Sequence, residues 1–302
     1  LDDAARQRFG VDPGEILNGS IFADLSYVEQ NDKGPTLYAK LKLDDASISM
    51  PFLKWSKRAG KLGVAELEIG FDQGHMSEIR GYRFAADGLL SSGSASFADK
   101  GESIKVLKLA SLALGKRTIV GGTIKRKNDG NFEVELSGPQ LDLTPFFEDD
   151  DENESPSTTL AVQAHGTFNK LWVGPSTSGA NVDAIVSHDG NSWRRISLNG
   201  NVIKGKKFTA NYVDDGKAGR LEVRAADAGN VLKKLGLLDD LRGGQLKLSA
   251  ARQGTDQDAL WRGNLGVSDF VLIKAPFMAR LLTLASLTGI SNMMSGKGVE
   301  FH

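Results

Sequence analysis

Residues 220–250 read RLEVRAADAGNVLKKLGLLDDLRGGQLKLSA, and this stretch decides the fold that the rest of the chain repeats. Apolar residues occupy every second position near both of its ends, at Leu221, Val223 and Ala225 and again at Leu246, Leu248 and Ala250. Between these two runs, Asp227 precedes valine and leucine residues that recur every three or four positions. The alternation predicts two strands with one dry face each. The helical spacing predicts an N-capped helix near residues 227–238, which Gly243-Gly244 closes.

The same alternation continues along most of the chain. It is present in residues 37–43, 65–71, 104–109, 132–136, 160–164, 182–186, 196–198, 208–212 and 261–267. A parallel α/β fold needs a helix between most strands, and few helical runs exist. The 35 glycines among 302 residues exceed the usual ~7% and suit tight turns between short strands. The sequence therefore predicts a mostly β fold with a long antiparallel sheet and a few short amphipathic helices.

A change of phase and a recurring dipeptide add two local predictions. The alternation switches face between Val106 and Leu107, which predicts a β-bulge in that strand. A Pro-Phe dipeptide follows a strand and an aspartate in three places, at Pro51-Phe52, Pro145-Phe146 and Pro276-Phe277. Because proline suits the first turn of a helix, each dipeptide predicts a helical start.

Composition excludes several classes of function. Lysine and arginine number 37 against 38 acidic residues, so the chain lacks the concentrated basic charge that nucleic-acid binding requires. There are no cysteines, which excludes disulfides and thiolate metal sites. No apolar run reaches the ~20 residues that span a bilayer. Both ends look cut, so we expect a segment of a longer protein whose membrane anchor lies outside it.

The acidic run at residues 148–157 predicts the division of the chain. Its clustered carboxylates repel one another and bury nothing, so we expect a mobile loop. The alternative, a calcium loop, lacks the alternating ligands and fixed glycine of that motif. This loop separates residues 1–147 from residues 158–302, which we expect to form the N-terminal and C-terminal parts of one β-structure.

A second helix is predicted near residues 276–290, where apolar residues cover most of the helical circumference. One interpretation is a buried helix that plugs the dry face of a sheet. The other is a helix at the mouth of an apolar cavity, where Arg280 reaches a phosphate or extends to water.

No catalytic or cofactor motif is present. The chain contains no nucleophile elbow, no P-loop, no dinucleotide-binding glycine pattern and no zinc-protease motif. Its histidines, at His75, His165, His188 and His302, have no other histidine three or four residues away. We therefore expect no enzymatic activity, no catalytic residue, no metal site and no cofactor.

The chain resembles the AsmA-like superfamily, and it is most similar there to the large envelope proteins of the YhdP type. The resemblance lies in AADAGNVLKKLGL at residues 225–237 and LRGGQL at 241–246. It continues in FVLIKAPFMARLLTLASLTGI at residues 270–290 and GKGVEF at 296–301. These motifs cover the last quarter of the chain, and before them only the strand pattern agrees.

The resemblance implies a place and a role. It implies a periplasmic segment, tethered to the inner membrane of a Gram-negative bacterium by an anchor outside these residues. It also implies a long, strongly curved sheet forming an open apolar groove of the β-taco kind. Phospholipids or other acyl lipids would move along that groove between the inner and outer membranes. An outer-membrane or periplasmic protein is expected as a partner.

The groove would be lined or plugged by apolar side chains of the C-terminal part. We expect these to be Leu221, Val223, Leu246, Leu248, Phe270, Leu272, Phe277 and Leu281. The alternative is a scaffold for envelope assembly, in which the same sheet closes on its own core. Whether the dry side of the sheet is filled by protein or left open distinguishes the two.

Overall fold

A computed structural model describes residues 1–2, 16–30, 34–146, 160–203, 205–235, 237–238, 240–254 and 260–273. Over these residues the chain is mostly β, as predicted. In the first half, the strands are β1 (Leu17–Gly19), β2 (Phe22–Gln30), β3 (Gly34–Lys42), β4 (Ala46–Met50), β5 (Trp55–Lys57), β6 (Gly63–Asp72), β7 (His75–Ala86), β8 (Leu89–Ala98), β9 (Ser103–Leu114), β10 (Thr118–Arg126) and β11 (Phe132–Asp142). In the second half, the elements are β12 (Ala161–Trp172), β13 (Ser178–Asp189), β14 (Trp193–Ile203), β15 (Lys206–Asp214), β16 (Ala218–Ala225), α1 (Ala228–Lys234), β17 (Leu241–Gln253) and β18 (Arg262–Leu272).

Fifteen of these strands form one large mixed sheet that is not closed. They follow one another in chain order from β2 to β18, except that β4 and β5 leave the sheet and β3 lies next to β6. Strands β1, β4 and β5 form a separate three-stranded sheet. Every strand pair whose register is described is antiparallel.

Within the described residues, tight turns join several pairs of neighbouring strands. Asp87 and Gly88, between β7 and β8, have φ angles of 36° and 82°. A two-residue turn with positive φ at both positions matches the twist of the strands it connects, and Asp-Gly is a favoured pair there. The glycine enrichment of the sequence therefore serves short hairpins, as predicted.

Three sequence predictions have definite local outcomes. Pro51–Leu53 and Thr144–Phe146 are short 3-10 helices, so two of the three Pro-Phe dipeptides lie in a helical turn. A bulge is present in β9 but lies at Lys105 rather than between Val106 and Leu107, because Ile104 pairs with Phe97 and Val106 with Ser96. The third dipeptide, the acidic run 148–157 and the helix predicted near 276–290 lie outside the described residues.

The chain forms two compact units, residues 1–162 and residues 163–302. In the first unit, the three-stranded sheet packs against one end of the apolar face of the large sheet. This core contains Ile21, Leu43, Ala46, Ile48, Trp55, Ala86 and Leu89. Trp55 also donates from its indole nitrogen to the carbonyl oxygen of Asp87, at 3.1 Å.

In the second unit, α1 packs against one end of the apolar face of the sheet. Its core contains Val202, Ala225, Ala228, Leu232, Leu241 and Leu246. Asp227 caps the helix by accepting a 3.0 Å hydrogen bond from the backbone nitrogen of Asn230. Gly229 is required there, because a Cβ atom at this position would lie 2.2 Å from the carbonyl oxygen of Leu241.

The helix predicted near 227–238 is shorter in the structure, and it ends before the predicted glycine pair. The backbone nitrogens of Leu237 and Leu238 both bond back to the carbonyl oxygen of Leu232, at 2.9 and 3.3 Å, which closes the helical turn. Gly243 and Gly244 lie inside β17, not at the helix end, with φ angles of 66° and 86°. The prediction that they close the helix was wrong, because strand pairing resumes at Leu241.

Candidate functional site

The register of β14 to β18 arranges the apolar face of the second unit in four rows. The first row is Gly200, Phe208, Ala225, Leu246 and Val267. The second row is Leu198, Ala210, Val223, Leu248 and Leu265. The third row is Ile196, Tyr212, Leu221, Ala250 and Gly263. The fourth row contains Arg194, Asp214, Gly219 and Arg252.

The first row is covered at its centre, where Ala225 and Leu246 are buried, whereas the next two rows contain no buried side chain. Leu246, in the first row, is 4% exposed because α1 packs over it. In the second and third rows every side chain larger than glycine is half-buried. These two rows are called the unit-2 strip. Partial exposure of neighbouring apolar side chains means that the described residues leave their outer surface in contact with solvent.

The fourth row ends the strip in a charge cluster centred on the buried carboxylate of Asp214. Asp214 is 5% exposed and accepts hydrogen bonds from the backbone nitrogen of Gly216, at 2.7 Å, and from the Tyr212 hydroxyl, at 3.1 Å. The Arg252 guanidinium also donates to Asp214, and Nη1 of Arg194 lies 3.5 Å away. The hydrogen bond from Gly216 is the main reason that the pKa of the Asp214 carboxyl is lowered.

A second carboxylate, that of Asp189, balances the positive charge of the cluster. Arg194 also donates from Nε to Asp189, at 2.6 Å. Two guanidinium groups therefore face two carboxylates, and the cluster carries no excess charge. Trp261 lies over Arg252, with its ring centroid 5.8 Å from the guanidinium carbon. The cluster is a polar wall along one side of the unit-2 strip, opposite the wall that α1 forms.

The first unit repeats this arrangement across β6 to β11. One row is Leu67, Tyr82, Gly93, Leu109, Gly122 and Leu136. The adjacent row is Ile69, Ile79, Ala95, Leu107, Ile124 and Val134. All are half-buried except Ala95, which is buried. These two rows are called the unit-1 strip, and the three-stranded sheet covers the face beside it.

A line of β-bulges follows the unit-1 strip. Each of the five consecutive pairs from β6–β7 to β10–β11 shifts register beside the row that contains Gly93 and Gly122. Both glycines are sterically required, since an added Cβ atom would lie 2.0 Å from the carbonyl oxygen of Lys108 and 1.9 Å from that of Glu135, respectively. An open depression of about 690 Å³ lies along the same line. We call this line the bulge seam.

The structure brings together some of the predicted groove residues. Leu221, Val223 and Leu248 lie in the unit-2 strip, on adjacent strands. Leu246 lies beneath α1 in the first row, so it contacts protein on its outer side. Phe270 and Leu272 lie on β18, opposite Gly243 and Leu241 and beyond the strip. Phe277 and Leu281 lie outside the described residues.

Sequence reasoning missed two parts of the site. The alternation in residues 65–71, 104–109 and 132–136 predicts strands, but it does not single out the unit-1 strip. Sequence reasoning also missed the charge cluster, for which a signal exists: Arg194 and Arg252 continue the apolar phase of Ile196 and Ala250, respectively. A charged residue in phase with an apolar row marks the end of that row.

The histidines within the described residues do not assemble a reactive site. His165 Nε2 lies 3.0 Å from Oδ2 of Asp183 at the surface, and His188 packs edge-on against Trp193, at 5.0 Å between ring centroids. Within the described ranges no group of three histidine, aspartate or glutamate side chains is placed to hold a metal ion. Nor does any helix there have the length and hydropathy needed to cross a membrane.

Comparison with protein-family models, with curated proteins and with solved structures finds no match for this chain. The geometry of the two strips is therefore the basis for the function proposed below.

Proposed function

We propose that this chain binds the acyl chains of phospholipids on its two apolar strips and supports phospholipid transport between the inner and outer membranes. The proposal includes a periplasmic location with a tether to the inner membrane, as the resemblance to AsmA-like envelope proteins implies. One observation carries it: in each unit, two registered rows of apolar side chains remain half-exposed beside a face that protein covers.

The strips suit a ligand that has no polar atoms along its length. An alkyl chain offers only methylene groups, and burying each one is worth about 0.8 kcal/mol. Within the unit-2 strip the described neighbours of such a chain are aliphatic carbons and the ring of Tyr212. Successive positions along a row are therefore nearly equivalent, and a bound chain loses little free energy when it slides from one strand to the next. This movement needs no covalent chemistry and no catalytic residue.

The dimensions of the unit-2 strip agree with an acyl chain. The strip crosses five strands, and at about 4.8 Å per step it is roughly 19 Å long. One leaflet of a bilayer has an apolar thickness of about 15 Å, half the ~30 Å hydrocarbon core. One acyl chain can therefore lie along the strip. The wall formed by α1 and the wall formed by the charge cluster keep it between the two rows.

The bulge seam supports the proposed curvature of the sheet. A β-bulge bends its strand and increases the local twist, and bulges at matching positions on successive strands bend a sheet along one line. In the first unit this line runs along the unit-1 strip. We infer that the sheet folds about the seam, with the apolar rows on the inner side, so that the strip becomes the floor of an open groove.

Lipid binding by the purified chain tests the proposal directly. The chain is expressed with a periplasmic signal, and bound lipid is identified by native mass spectrometry and by extraction with organic solvent. We expect co-purified phospholipid and saturable binding of a fluorescent phospholipid. A folded chain that carries no lipid and does not bind the probe would contradict the proposal.

The scaffold interpretation has one specific observation in its favour. Each unit has a genuine core at one end of its apolar face, beneath the three-stranded sheet or beneath α1. A scaffold needs those cores and does not need the open strips. It therefore predicts that polar substitutions within a strip leave the activity of the protein in cells unchanged, whereas the lipid proposal predicts its loss.

A further inference from the structure

Two lysine side chains lie beside the C-terminal end of α1, and neither belongs to the strips or to the charge cluster. Lys234 is the last residue of α1 and is half-buried. Its ammonium group donates to the carbonyl oxygens of Ser178, at 2.9 Å, and Val202, at 3.2 Å. Because an ammonium group has three donor hydrogens, these bonds to β13 and β14 leave one hydrogen for a further acceptor.

The second lysine, Lys170, lies on β12 in the neighbouring hairpin. The backbone nitrogen of Val173 donates to the carbonyl oxygen of Thr177, at 3.0 Å, which places Trp172 opposite Ser178. The ammonium group of Lys170 lies over the ring of Trp172, 3.7 Å from its centroid. It is therefore held near the strand position that the ammonium group of the first lysine contacts.

No carboxylate balances these two charges. Over the part of the chain that the structure describes, neither Lys170 nor Lys234 forms an ion pair. The pKa of Lys234 is lowered, mainly because burial removes water from the ammonium group and also because the charge of Lys170 repels it. Asp227 raises this pKa, but its carboxylate caps the other end of α1. A bound anion would offset the repulsion between the two lysines.

We propose that Lys170 and Lys234 bind the phosphate group of a phospholipid whose acyl chain lies on the unit-2 strip. A phosphate group offers several acceptor oxygens, and hydrogen bonds between it and an ammonium group are strengthened by both charges. This inference rests on the proposed function for the acyl chain. It adds the chemical class of the head group and the residues that recognise it.

The position of the lysines relative to the strip agrees with this assignment. Val202, whose carbonyl oxygen Lys234 contacts, is four residues from Leu198 on β14, so the ammonium group lies roughly 13 Å from the second row. Between these two positions lies Gly200, which pairs with the half-buried Phe208. The glycerol ester and the first methylene groups of a phospholipid can span this distance over the aromatic ring, beside α1.

Two fluorescent lipids that differ only in a phosphate group test the inference. Phosphatidic acid and a diacylglycerol with the same acyl chains are titrated into the purified chain. We expect phosphatidic acid to bind at least about tenfold more tightly, because only this lipid has a partner for the two ammonium groups. If neither lipid binds, the proposed function fails and this inference fails with it. If both lipids bind equally, the strip holds acyl chains and only the phosphate site is refuted.

Lysine variants test whether the preference comes from this site. Lys170 is held by a ring contact, so K170M removes a charge without breaking a backbone contact, and it should lower the preference for phosphatidic acid at least about threefold. K170M/K234M should bind the two lipids equally, and circular dichroism checks that it is folded. The matched control K233M changes an exposed lysine of the same helix and should keep the preference of the parent chain. Equal losses in K170M and K233M would show general attraction by positive charge and overturn the site.

Inorganic phosphate distinguishes a lipid head group from a free anion. Calorimetric titration of the lipid-free parent chain with inorganic phosphate should show no saturable binding at micromolar concentrations, because the acyl chain supplies most of the binding free energy. Saturable micromolar binding that K170M abolishes would identify a site for free phosphate and overturn the assignment to a lipid.

Discussion

The ammonium group of Lys57 lies 2.7 Å from the carbonyl oxygen of Ala46, and the residue is only 1% exposed. The same group donates to the carbonyl oxygens of Leu43, at 2.7 Å, and of Asp44 and Arg58, both at 3.3 Å. Four backbone carbonyls thus surround one cation between the three-stranded sheet and the loop that follows β3. This contact fixes the covering sheet of the first unit in place.

The replacement K57M should destabilise the first unit. Methionine keeps the volume of the side chain but leaves the surrounding carbonyls without their donor, and unsatisfied buried acceptors cost about 1–3 kcal/mol. Urea unfolding followed by tryptophan fluorescence measures the loss, since Trp55 lies in the same core. The control K61M changes an exposed lysine nearby and should unfold like the parent chain. Equal stability of K57M and the parent would mean that the carbonyls do not need this cation.

The replacement L248R should remove lipid binding from the unit-2 strip while the strands remain. Leu248 is half-buried in the second row, so a longer charged side chain can reach solvent there without unfolding the sheet. A guanidinium in the row interrupts the apolar surface, and we expect at least about tenfold weaker binding of a fluorescent phospholipid to this strip.

The control for L248R is S249R, which places the same charge on the other face of β17. Ser249 is exposed, so this variant should bind the probe like the parent chain. Circular dichroism distinguishes the outcomes: unfolding of L248R would show that Leu248 is an ordinary core residue. Unchanged binding by folded L248R would exclude the strip as the lipid site.

The charge cluster predicts loss of stability of the second unit in acid. The pKa of Asp214 is lowered in the folded chain by the hydrogen bond from Gly216, and the Tyr212 hydroxyl and Arg252 also favour its charged form. Because the pKa of Asp214 is lower in the folded chain than its ordinary value of 3.8, its charge stabilises the folded state at pH values above 3.8. This stability is lost as the pH falls through the folded pKa. The pKa of Asp189 is lowered as well, mainly because its carboxylate accepts hydrogen bonds from the backbone nitrogens of Ser192 and Asn191. Protonation of Asp189 therefore also lowers the stability of the second unit in acid.

The variant D214N separates this effect from general acid unfolding. It removes a charged acceptor from buried donors and should cost about 1.5–3 kcal/mol at neutral pH. Because asparagine does not titrate, the urea midpoint of D214N should fall less than that of the parent chain when the pH drops below about 4. The control D183N changes a partly exposed carboxylate that pairs with His165. An identical acid profile for D214N and the parent would show that Asp214 does not contribute to the linkage.

The bulge seam predicts opposite outcomes for two of its glycines. In G122A the new methyl group would meet the carbonyl oxygen of Glu135 at 1.9 Å, so β10 and β11 must separate, at a cost of about 1–3 kcal/mol. In G81A nothing lies within 4 Å of the added carbon, so the change should be tolerated. Thermal unfolding compares the two variants. Similar stability of both would mean that the seam does not require close approach of neighbouring strands.

The local structure of the chain could be predicted from its sequence. Alternation of apolar and polar residues predicts strands because successive side chains of a strand point to opposite faces. The bulge in β9, the cap at Asp227 and the turns rich in glycine are equally local, since each depends on residues within a few positions of one another. For the same reason, Leu221, Val223 and Leu248 could be assigned to one face before any contact between strands was known.

Only the tertiary structure decided which parts of that face are covered. Leu246 and Leu248 have the same alternation and the same residue type, yet α1 packs over the first and leaves the second half-exposed. The row that α1 covers depends on the register of β16, β17 and β18. It also depends on where the segment between β16 and β17, which contains α1, rejoins the sheet. Similarly, Arg194, Asp214 and Arg252 are far apart in the chain and meet only because three strand pairings bring them to one end of the rows. Pairing between distant segments is determined by packing across the whole sheet. It therefore cannot be predicted from the local pattern of residues in any one strand.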